Sequence, residues 1–141
     1  MQDCIFCKII KGEIPADKVF ESKKILAFLD INPVNLGHTL VISKTHFSSL
    51  EETPDEIASE MMKAAKKIGA VLGEAIGADG FNLGLNNSKE AGQVVEHVHL
   101  HVMPRFSGDG LKLWPGKETT AEERKEAAKK IKSQILDRHA Q

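Results

Sequence analysis

Histidine and aliphatic residues alternate over six consecutive positions in the second half of the chain. The alternating residues are His97, Val98, His99, Leu100, His101 and Val102. Because successive side chains of a β-strand point to opposite faces, a strand over residues 96–103 would carry the three imidazoles on one face, about 6.6 Å apart. The aliphatic side chains would lie on the other face. The pattern therefore predicts a strand with one face in a hydrophobic core and the other available for chemistry.

Size and composition favour a single globular domain over residues 1–141. The chain has 141 residues, of which 41% are hydrophobic and 28% charged, a composition unlike that of disordered, collagenous or coiled-coil proteins. A net charge of −1 gives no basic excess, so we expect no nucleic-acid partner. The sequence has neither a signal-peptide pattern nor a run of about eighteen uncharged apolar residues, so we expect no membrane partner.

Two helices and five strands are predicted from periodicity and turn signals. A capping box from Thr53 to Glu56 should begin a helix over 54–76 that Gly77 ends, and a second helix should begin at Thr120. Apolar and β-branched runs bounded by turn residues predict strands at 18–22, 25–30, 39–43, 81–86 and 96–103. Short connections make antiparallel pairing the simpler arrangement. We therefore predict an α+β fold: a five-stranded antiparallel sheet with one long helix, followed by a loop and helix extension over 104–141.

The histidine row is compatible with two kinds of chemistry. A neutral imidazole is a nucleophile and proton carrier near pH 7, and a cationic one donates to phosphate oxygens. In phosphoryl or nucleotidyl transfer, one ring would attack phosphorus while its neighbours held the developing negative charge. Alternatively, two imidazoles at positions i and i+2 could bind a catalytic zinc ion with an open position. The spacing alone does not choose between them.

Cys4 and Cys7 form a CxxC pair near the start of the chain. Two cysteines cannot make a disulfide framework, and this spacing is typical of metal or redox chemistry in a reducing compartment, which predicts a cytoplasmic protein. The pair supplies half of a tetrahedral zinc site, and the candidate partners are His38, His46 and the alternating histidines. A thioredoxin-like pair would follow a strand, which is lacking here. Two reduced thiols packed as small hydrophobes are the third alternative.

The segment from His97 to Met103 matches at every position the pattern His-φ-His-φ-His-φ-φ, where φ is apolar. In this it resembles the signature of the histidine triad (HIT) family. Further similarity lies in residues 4–10, 13–15, 27–31 and 40–46, so that the resemblance covers about residues 4–106. It implies a homodimeric HIT-like α+β domain that binds a purine nucleotide, adenosine in type, and cleaves it at the α-phosphate through a nucleotidyl-histidine intermediate.

The resemblance also assigns roles to residues of the site. His99 would be the nucleophile and His101 would donate to the phosphate, which agrees with the need for adjacent attacking and charge-stabilising groups. Six further residues would contact the nucleotide: Phe6, Ile9, Asp30, Asn86, Gly92 and Gln93. Phe6 and Ile9 would sandwich the base, and the Asp30 carboxylate would accept from the ribose hydroxyls. Asn86 and Gln93 would approach the phosphate with amide donors, and Gly92 would let the backbone come close to it.

Zinc-bearing HIT proteins resemble this chain in their CxxC pair, in a histidine after the third strand and in the first triad histidine. Carried over, the ligands are Cys4, Cys7, His46 and His97. Four protein ligands leave no open position, so the resemblance implies a structural zinc ion, with no organic cofactor. His99 would then remain uncoordinated.

Val94 departs from the pattern of family members that carry a serine or threonine there. Valine cannot donate to the phosphate or the leaving group, which leaves more of that work to His101 and Gln93. We expect a HIT-type nucleotidyl hydrolase or transferase, with phosphoramidates or dinucleoside polyphosphates as possible substrates. The alternatives are a nucleotide-binding or sensing module with little turnover, and zinc-dependent hydrolysis by the triad.

Overall fold

An antiparallel sheet of five strands organises the chain. The structure, a computed structural model, describes residues 3–139. The strands are β1 (Lys18–Glu21), β2 (Ile25–Leu29), β3 (Thr39–Ser43), β4 (Gly80–Gly84) and β5 (His99–Arg105). The described helices are α1 (Ile5–Ile10), α2 (Asp55–Ile76), a 3-10 turn (Lys89–Ala91) and α3 (Ala121–His139). The predicted fold class, with its sheet, long helix and C-terminal helix, is confirmed.

The strands lie in the order β1-β2-β3-β5-β4, and every neighbouring pair is antiparallel. Val41 on β3 is in register with Ala27 on one side and Leu100 on the other. Together with side chains from one face of α2, these side chains form a buried hydrophobic cluster. Its members are Ile25, Ala27, Val41, Met61, Ala64, Ala65, Leu72, Val98, Leu100 and Val102. The apolar half of the alternating pattern therefore packs under the long helix, as predicted.

The opposite face of the sheet carries a second hydrophobic cluster. It joins strand residues to the two buried side chains of α1, and its members are Phe6, Ile9, Leu26, Phe28, Leu40 and Ile42. In the β3–β5 register, Leu40 pairs with His101 and Ile42 with His99. Since residues paired across an antiparallel ladder share a face, the catalytic candidates lie on the α1 side of the sheet.

The structure corrects two predictions, the residue at which the triad strand begins and the residue that caps α2. β5 begins at His99 rather than at residue 96, so His97 precedes the strand. The Thr53 hydroxyl donates to the Ser49 carbonyl (2.8 Å) and does not cap α2; the residue before the helix is Pro54, which provides no side-chain cap. The hydroxyl thus bonds within the preceding turn, an alternative that a capping pattern cannot distinguish.

α2 ends as predicted and approaches the sheet closely. Gly77 has a φ of 73°, the left-handed conformation that commonly ends helices. Gly69 faces β4, where a Cβ atom would overlap the Phe81 ring. The missing side chain therefore lets helix and strand meet.

Residues up to Asp109 form one compact unit and residues from Gly110 form another. In the second unit, the backbone N–H of Glu123 donates to the Thr120 hydroxyl (3.0 Å), so the predicted cap of α3 is present. No residue of this helix is buried. No described helix is both long and apolar enough to span a membrane. A single domain over residues 1–141 stays a prediction.

Candidate active site and metal centre

His99 is held in one tautomer by the backbone. It is the first residue of β5 and is only 7% exposed. Its Nδ1 lies 2.7 Å from the carbonyl oxygen of His97. Because a carbonyl only accepts, Nδ1 carries the proton and the lone pair of the neutral ring is on Nε2. Burial lowers the pKa of His99, against the opposing effects of this hydrogen bond and of Asp30. The ring is therefore neutral near pH 7, with a nucleophilic nitrogen at Nε2.

His101 lies beside His99, the predicted nucleophile. The ring centroids of His99 and His101 are 5.0 Å apart. The Nδ1 atom of His101 is 2.8 Å from the Nε2 atom of His38. Burial, followed by the electrostatic effects of His99 and His38, lowers the pKa of His101 to about 4. His101 is thus a neutral imidazole near pH 7, hydrogen bonded through one ring nitrogen.

His38 belongs to this cluster, although the sequence suggested it only as a candidate zinc ligand. It directly precedes β3 and is 4% exposed. Its position two residues before Leu40 puts it on the α1 face, which is the parity signal that could have identified it. That signal becomes useful only when β3 is known to lie beside β5, a pairing between distant parts of the chain.

Asp30 follows the end of β2 and lies next to the histidines. Its backbone N–H donates to the carbonyl of His38 (2.8 Å), and its Oδ1 accepts from the backbone N–H of Asn32 (2.8 Å). Its other oxygen, Oδ2, is 3.7 Å from His38 Nε2. The predicted ribose-binding carboxylate and the histidine cluster are therefore neighbours.

Phe6 and Ile9 are the buried side chains of α1, each 6% exposed. The edge of the Phe6 ring packs against three other rings, with centroid distances of 5.5 Å to Phe28, 5.8 Å to His97 and 5.2 Å to His99. Phe6, one of the two predicted base-contacting residues, thus also packs against His99, the predicted nucleophile.

Asn86, Gly92 and Gln93 lie together in the segment before β5. The amide nitrogen of Asn86 is 3.5 Å from the Gly92 carbonyl, and Gly92 has a φ of 96°. The side-chain amide of Gln93 donates to the carbonyls of Ser48 (2.6 Å) and Val95 (3.1 Å). Both N–H groups of Gln93 are therefore engaged by the protein. Gly92 and Gln93 also line an open cleft beside residues 48–52.

Cys4, Cys7, His46 and His97 converge, as their predicted role requires. Their four candidate donor atoms all lie within 4.8 Å of one another. The Nδ1 atom of His97 is 3.4 Å from the Cys4 sulfur, 3.7 Å from the Cys7 sulfur and 3.1 Å from His46 Nδ1. His46 Nδ1 is 3.4 Å from the Cys7 sulfur. A tetrahedral zinc ion keeps such donors about 3.3–3.8 Å apart. The three nitrogen–sulfur distances lie in that range and the two Nδ1 atoms are slightly closer together, so the donor set approximates a tetrahedral site.

The surroundings of the four residues also suit a metal. His97 Nε2 lies 2.7 Å from the Ser43 carbonyl, so it carries the proton and leaves the Nδ1 lone pair directed at the cluster. Burial lowers the pKa of His97 to about 4. Burial, together with the nearby Cys4 sulfur, raises the pKa of the Cys7 thiol. A divalent cation would counter that effect by favouring the thiolate.

Cys4 and Cys7 lie at the N-cap and in the first turn of α1, a helix that the sequence pattern did not predict. The Cys4 sulfur accepts from the Cys7 backbone N–H (3.4 Å) at the start of the helix. Six residues are too few for a reliable periodicity, so the CxxC pair was the available signal.

The histidine cluster, the neighbouring carboxylate and the group of two cysteines and two histidines occur in a chain that matches the HIT domain family over residues 11–108. The chain belongs to the HIT domain family. The matched range includes all three triad histidines and His46, whereas the CxxC pair precedes it.

Several HIT proteins are similar over most of this chain. The adenosine 5'-monophosphoramidase of Schizosaccharomyces pombe is 41% identical over 134 residues, which is 94% of this chain and 98% of that protein. The adenylylsulfatase of Arabidopsis thaliana is 45% identical over 77% of this chain and 55% of its own length. A zinc-bound histidine triad family protein from Mycobacterium smegmatis superposes with a TM-score of 0.76 at 41% identity, covering 83% of this chain and 85% of that one.

Proposed function

We propose that this protein is a nucleotidyl hydrolase or transferase that cleaves a purine nucleotide, adenosine in type, at its α-phosphate. The observation that carries the proposal is the His99 tautomer: the His97 carbonyl holds the proton on Nδ1 and leaves the Nε2 lone pair for attack. The two relatives named above are a phosphoramidase and a sulfatase of adenylyl compounds. Their shared part is the adenylyl group, which supports specificity for that group with a variable leaving group.

The reaction would proceed in two displacements. In the first, His99 Nε2 forms a bond to the α-phosphorus while the bond from phosphorus to the leaving group breaks, and the leaving group departs with the bonding electrons. In the second, water or another acceptor attacks phosphorus and loses its proton to solvent, while the bond from phosphorus to Nε2 breaks and its electrons return to the ring. His101 would donate a hydrogen bond to a non-bridging oxygen as charge develops there.

The remaining predicted residues would hold the nucleotide. Asp30, beside the histidines, would accept from the ribose hydroxyls, and Phe6 and Ile9 would contact the base through the small part of each side chain that is exposed. Gly92 would allow the phosphate to approach the backbone. Asn86 and Gln93 would supply amide donors, which requires Gln93 to exchange at least one of its present carbonyl partners for the phosphate.

The experiment that tests this function is an alkaline quench during turnover of adenosine phosphoramidate, which preserves a phosphorus–nitrogen bond, followed by intact-mass measurement. We expect one adenylyl adduct per chain at His99. His99→Ala should abolish both adduct and turnover while adenosine monophosphate still binds. His139→Ala is the matched control, because it removes an exposed histidine at the end of α3. Full turnover by His99→Ala would disprove the proposal.

A nucleotide-binding module with little turnover is the second candidate. Val94 favours it, since this side chain is 90% exposed and offers no hydroxyl group. Turnover measured at saturating adenosine phosphoramidate and diadenosine polyphosphate separates the two candidates. Tight binding with negligible product from both substrates would identify a binding module.

We further propose a structural zinc ion on Cys4, Cys7, His46 and His97. The donor spacing, the Ser43 carbonyl behind His97 and the zinc-bound relative support it. When bound, zinc would cross-link α1 to the segment before β5. With four protein ligands it would have no open position, so zinc-dependent hydrolysis by the triad is not favoured. The ion is the proposed cofactor, and no organic cofactor is proposed.

We also propose a homodimer, which the resemblance implies, and a cytoplasmic location, which the CxxC spacing indicates. β4 is at an edge of the sheet and exposes about two-fifths of Phe81 and Leu83. An edge strand with exposed apolar side chains is a surface that proteins commonly cover. Sedimentation equilibrium at micromolar concentration should give twice the chain mass of 15.5 kDa. A Leu83→Lys variant should shift the equilibrium towards the monomer.

A further inference from the structure

Asn35 lies in the loop that joins β2 to β3, and within residues 31–36 of this loop it alone is half-buried while the others are exposed. Its side-chain nitrogen donates to the carbonyl oxygen of Pro104 (2.9 Å) and to Oδ2 of Asp109 (3.1 Å). Because a carbonyl oxygen and a carboxylate can only accept, the nitrogen of the Asn35 amide must face both groups. Asn35 therefore uses both of its side-chain protons to attach the middle of the loop to the end of the sheet.

Asp109 is a fixed acceptor for this attachment. Its side chain is 8% exposed and accepts from Nε (2.8 Å) and Nη2 (3.0 Å) of Arg105, the last residue of β5. It also accepts from the backbone N–H of Phe106 (3.1 Å). Arg105 Nη1 donates in turn to the side-chain oxygen of Asn82 on β4 (2.8 Å). A carboxylate paired with a guanidinium group through two bonds has a defined orientation, so the loop is attached to a rigid part of two strands.

The backbone of the same loop holds two side chains of the candidate site. The N–H of Asn32 donates to Oδ1 of Asp30 (2.8 Å), and the N–H of Val34 donates to Nδ1 of His38 (3.1 Å). Burial keeps the His38 ring neutral near pH 7 by lowering its pKa, and its proton is on Nε2 because a peptide N–H can only donate. Hydrogen bonds weaken steeply when their angle changes. The loop can therefore orient these side chains only while its own course is fixed.

We propose that Asn35 is a positioning residue, which fixes the loop and thereby holds the Asp30 carboxylate in the orientation that accepts from ribose hydroxyls. Asn35 thus determines how strongly the site prefers a ribonucleotide to a nucleotide without those hydroxyls. The inference rests on the proposed function, in which Asp30 binds the ribose. The attachment of the loop through Asn35 follows from the hydrogen bonds alone.

The test compares two ligands of the full, zinc-loaded chain by titration calorimetry. One is adenosine monophosphate, and the other is its 2′,3′-dideoxy analogue, which offers Asp30 no hydroxyl group. Asn35→Ala removes the amide, whereas Asn35→Asp keeps its shape but places an oxygen against the acceptors. Both variants should bind adenosine monophosphate about three- to tenfold more weakly than the native protein, as expected for about one hydrogen bond. Both should bind the dideoxy analogue with the native Kd.

The matched control is Lys23→Ala, which removes an exposed side chain from the turn between β1 and β2. It should keep the native Kd for both ligands. An equal loss for the two ligands in the Asn35 variants would overturn the proposal, because it would reveal a general disturbance of the site. Native affinity of Asn35→Asp for adenosine monophosphate would also overturn it, as would a native protein that binds both ligands equally well.

A measurement on the native chain keeps the proposal open to refutation if the variants fail to fold. Backbone nitrogen relaxation should give order parameters of about 0.85 for Asn32 and Val34, the value of rigid backbone, although both residues are exposed. Values below about 0.6 would overturn the attachment of the loop. If the native protein bound neither ligand, the proposed function would fail, and the order parameters would still test the attachment.

Discussion

Replacing Phe6 with alanine tests whether α1 is docked on the sheet as the structure places it. Phe6 is 6% exposed and its ring edge meets Phe28, His97 and His99. Burying an aromatic side chain removes at least about 150 Å² from water, which at about 25 cal/mol per Å² contributes about 4 kcal/mol as an upper estimate. Phe→Ala substitutions in cores cost about 3–5 kcal/mol, in agreement with that figure.

We therefore expect Phe6→Ala to lower the free energy of unfolding of the zinc-loaded protein by about 3–5 kcal/mol. Urea denaturation followed by circular dichroism measures this change. Phe6→Leu is the control, since a volume-conserving apolar swap costs less than about 1.5 kcal/mol. A loss below about 1 kcal/mol for Phe6→Ala would refute the reasoning, because α1 could then contribute little to the core.

Three further substitutions or treatments test the other parts of the structure. A strong chelator should remove one zinc ion per chain and lower the Tm of the native protein, as measured by metal analysis and calorimetry. The Cys7→Ser variant should have a lower Tm from the start, and the chelator should change it little. An unchanged Tm of the native protein after chelation would contradict the metal centre. Asp30→Asn should raise KM for adenosine phosphoramidate about tenfold, since a hydrogen bond to a charged acceptor is lost. The control Asp17→Asn, at an exposed position, should leave KM unchanged. Equal KM values for the native protein and Asp30→Asn would show that Asp30 does not bind the ribose. Gly69→Ala should destabilise the protein by about 1–3 kcal/mol through overlap with the Phe81 ring, and Phe81→Leu should recover part of the loss in urea denaturation; additive losses would contradict that contact.

The strands and the long helix could be predicted because their signals are local. Alternation along a strand and the period of an amphipathic helix depend only on nearby residues, and both were read correctly for the sheet and for α2. The start of β5 was placed too early because the alternation extends back to His97, whose ring instead turns towards the two cysteines and His46. The pattern records which residues face one side, but not where the ladder begins.

The assembly of the site depended on contacts between distant segments. His38 lies 63 residues from its partner His101, and the backbone bond that sets its tautomer comes from Val34. Neither hydrogen bond produces a periodic pattern in the sequence from which it could be predicted. Cys4 and His97 are separated by 93 residues in the sequence, which is more than His38 and His101. Their contact was nevertheless predicted, because the resemblance supplied a pairing that the spacing alone could not.

His97 connects the proposed metal centre to the proposed nucleophile through three separate groups. Its Nδ1 faces the two cysteines and His46, its Nε2–H donates to the carbonyl of Ser43, and its own carbonyl accepts the Nδ1–H of His99. The first two bonds fix the position of the residue, and the third determines which nitrogen of the nucleophile keeps a lone pair. Loss of the four-residue centre would remove one of the anchors of His97 and would reach His99 by shifting this carbonyl. The metal centre would thus influence turnover by geometry alone, without contacting the nucleotide.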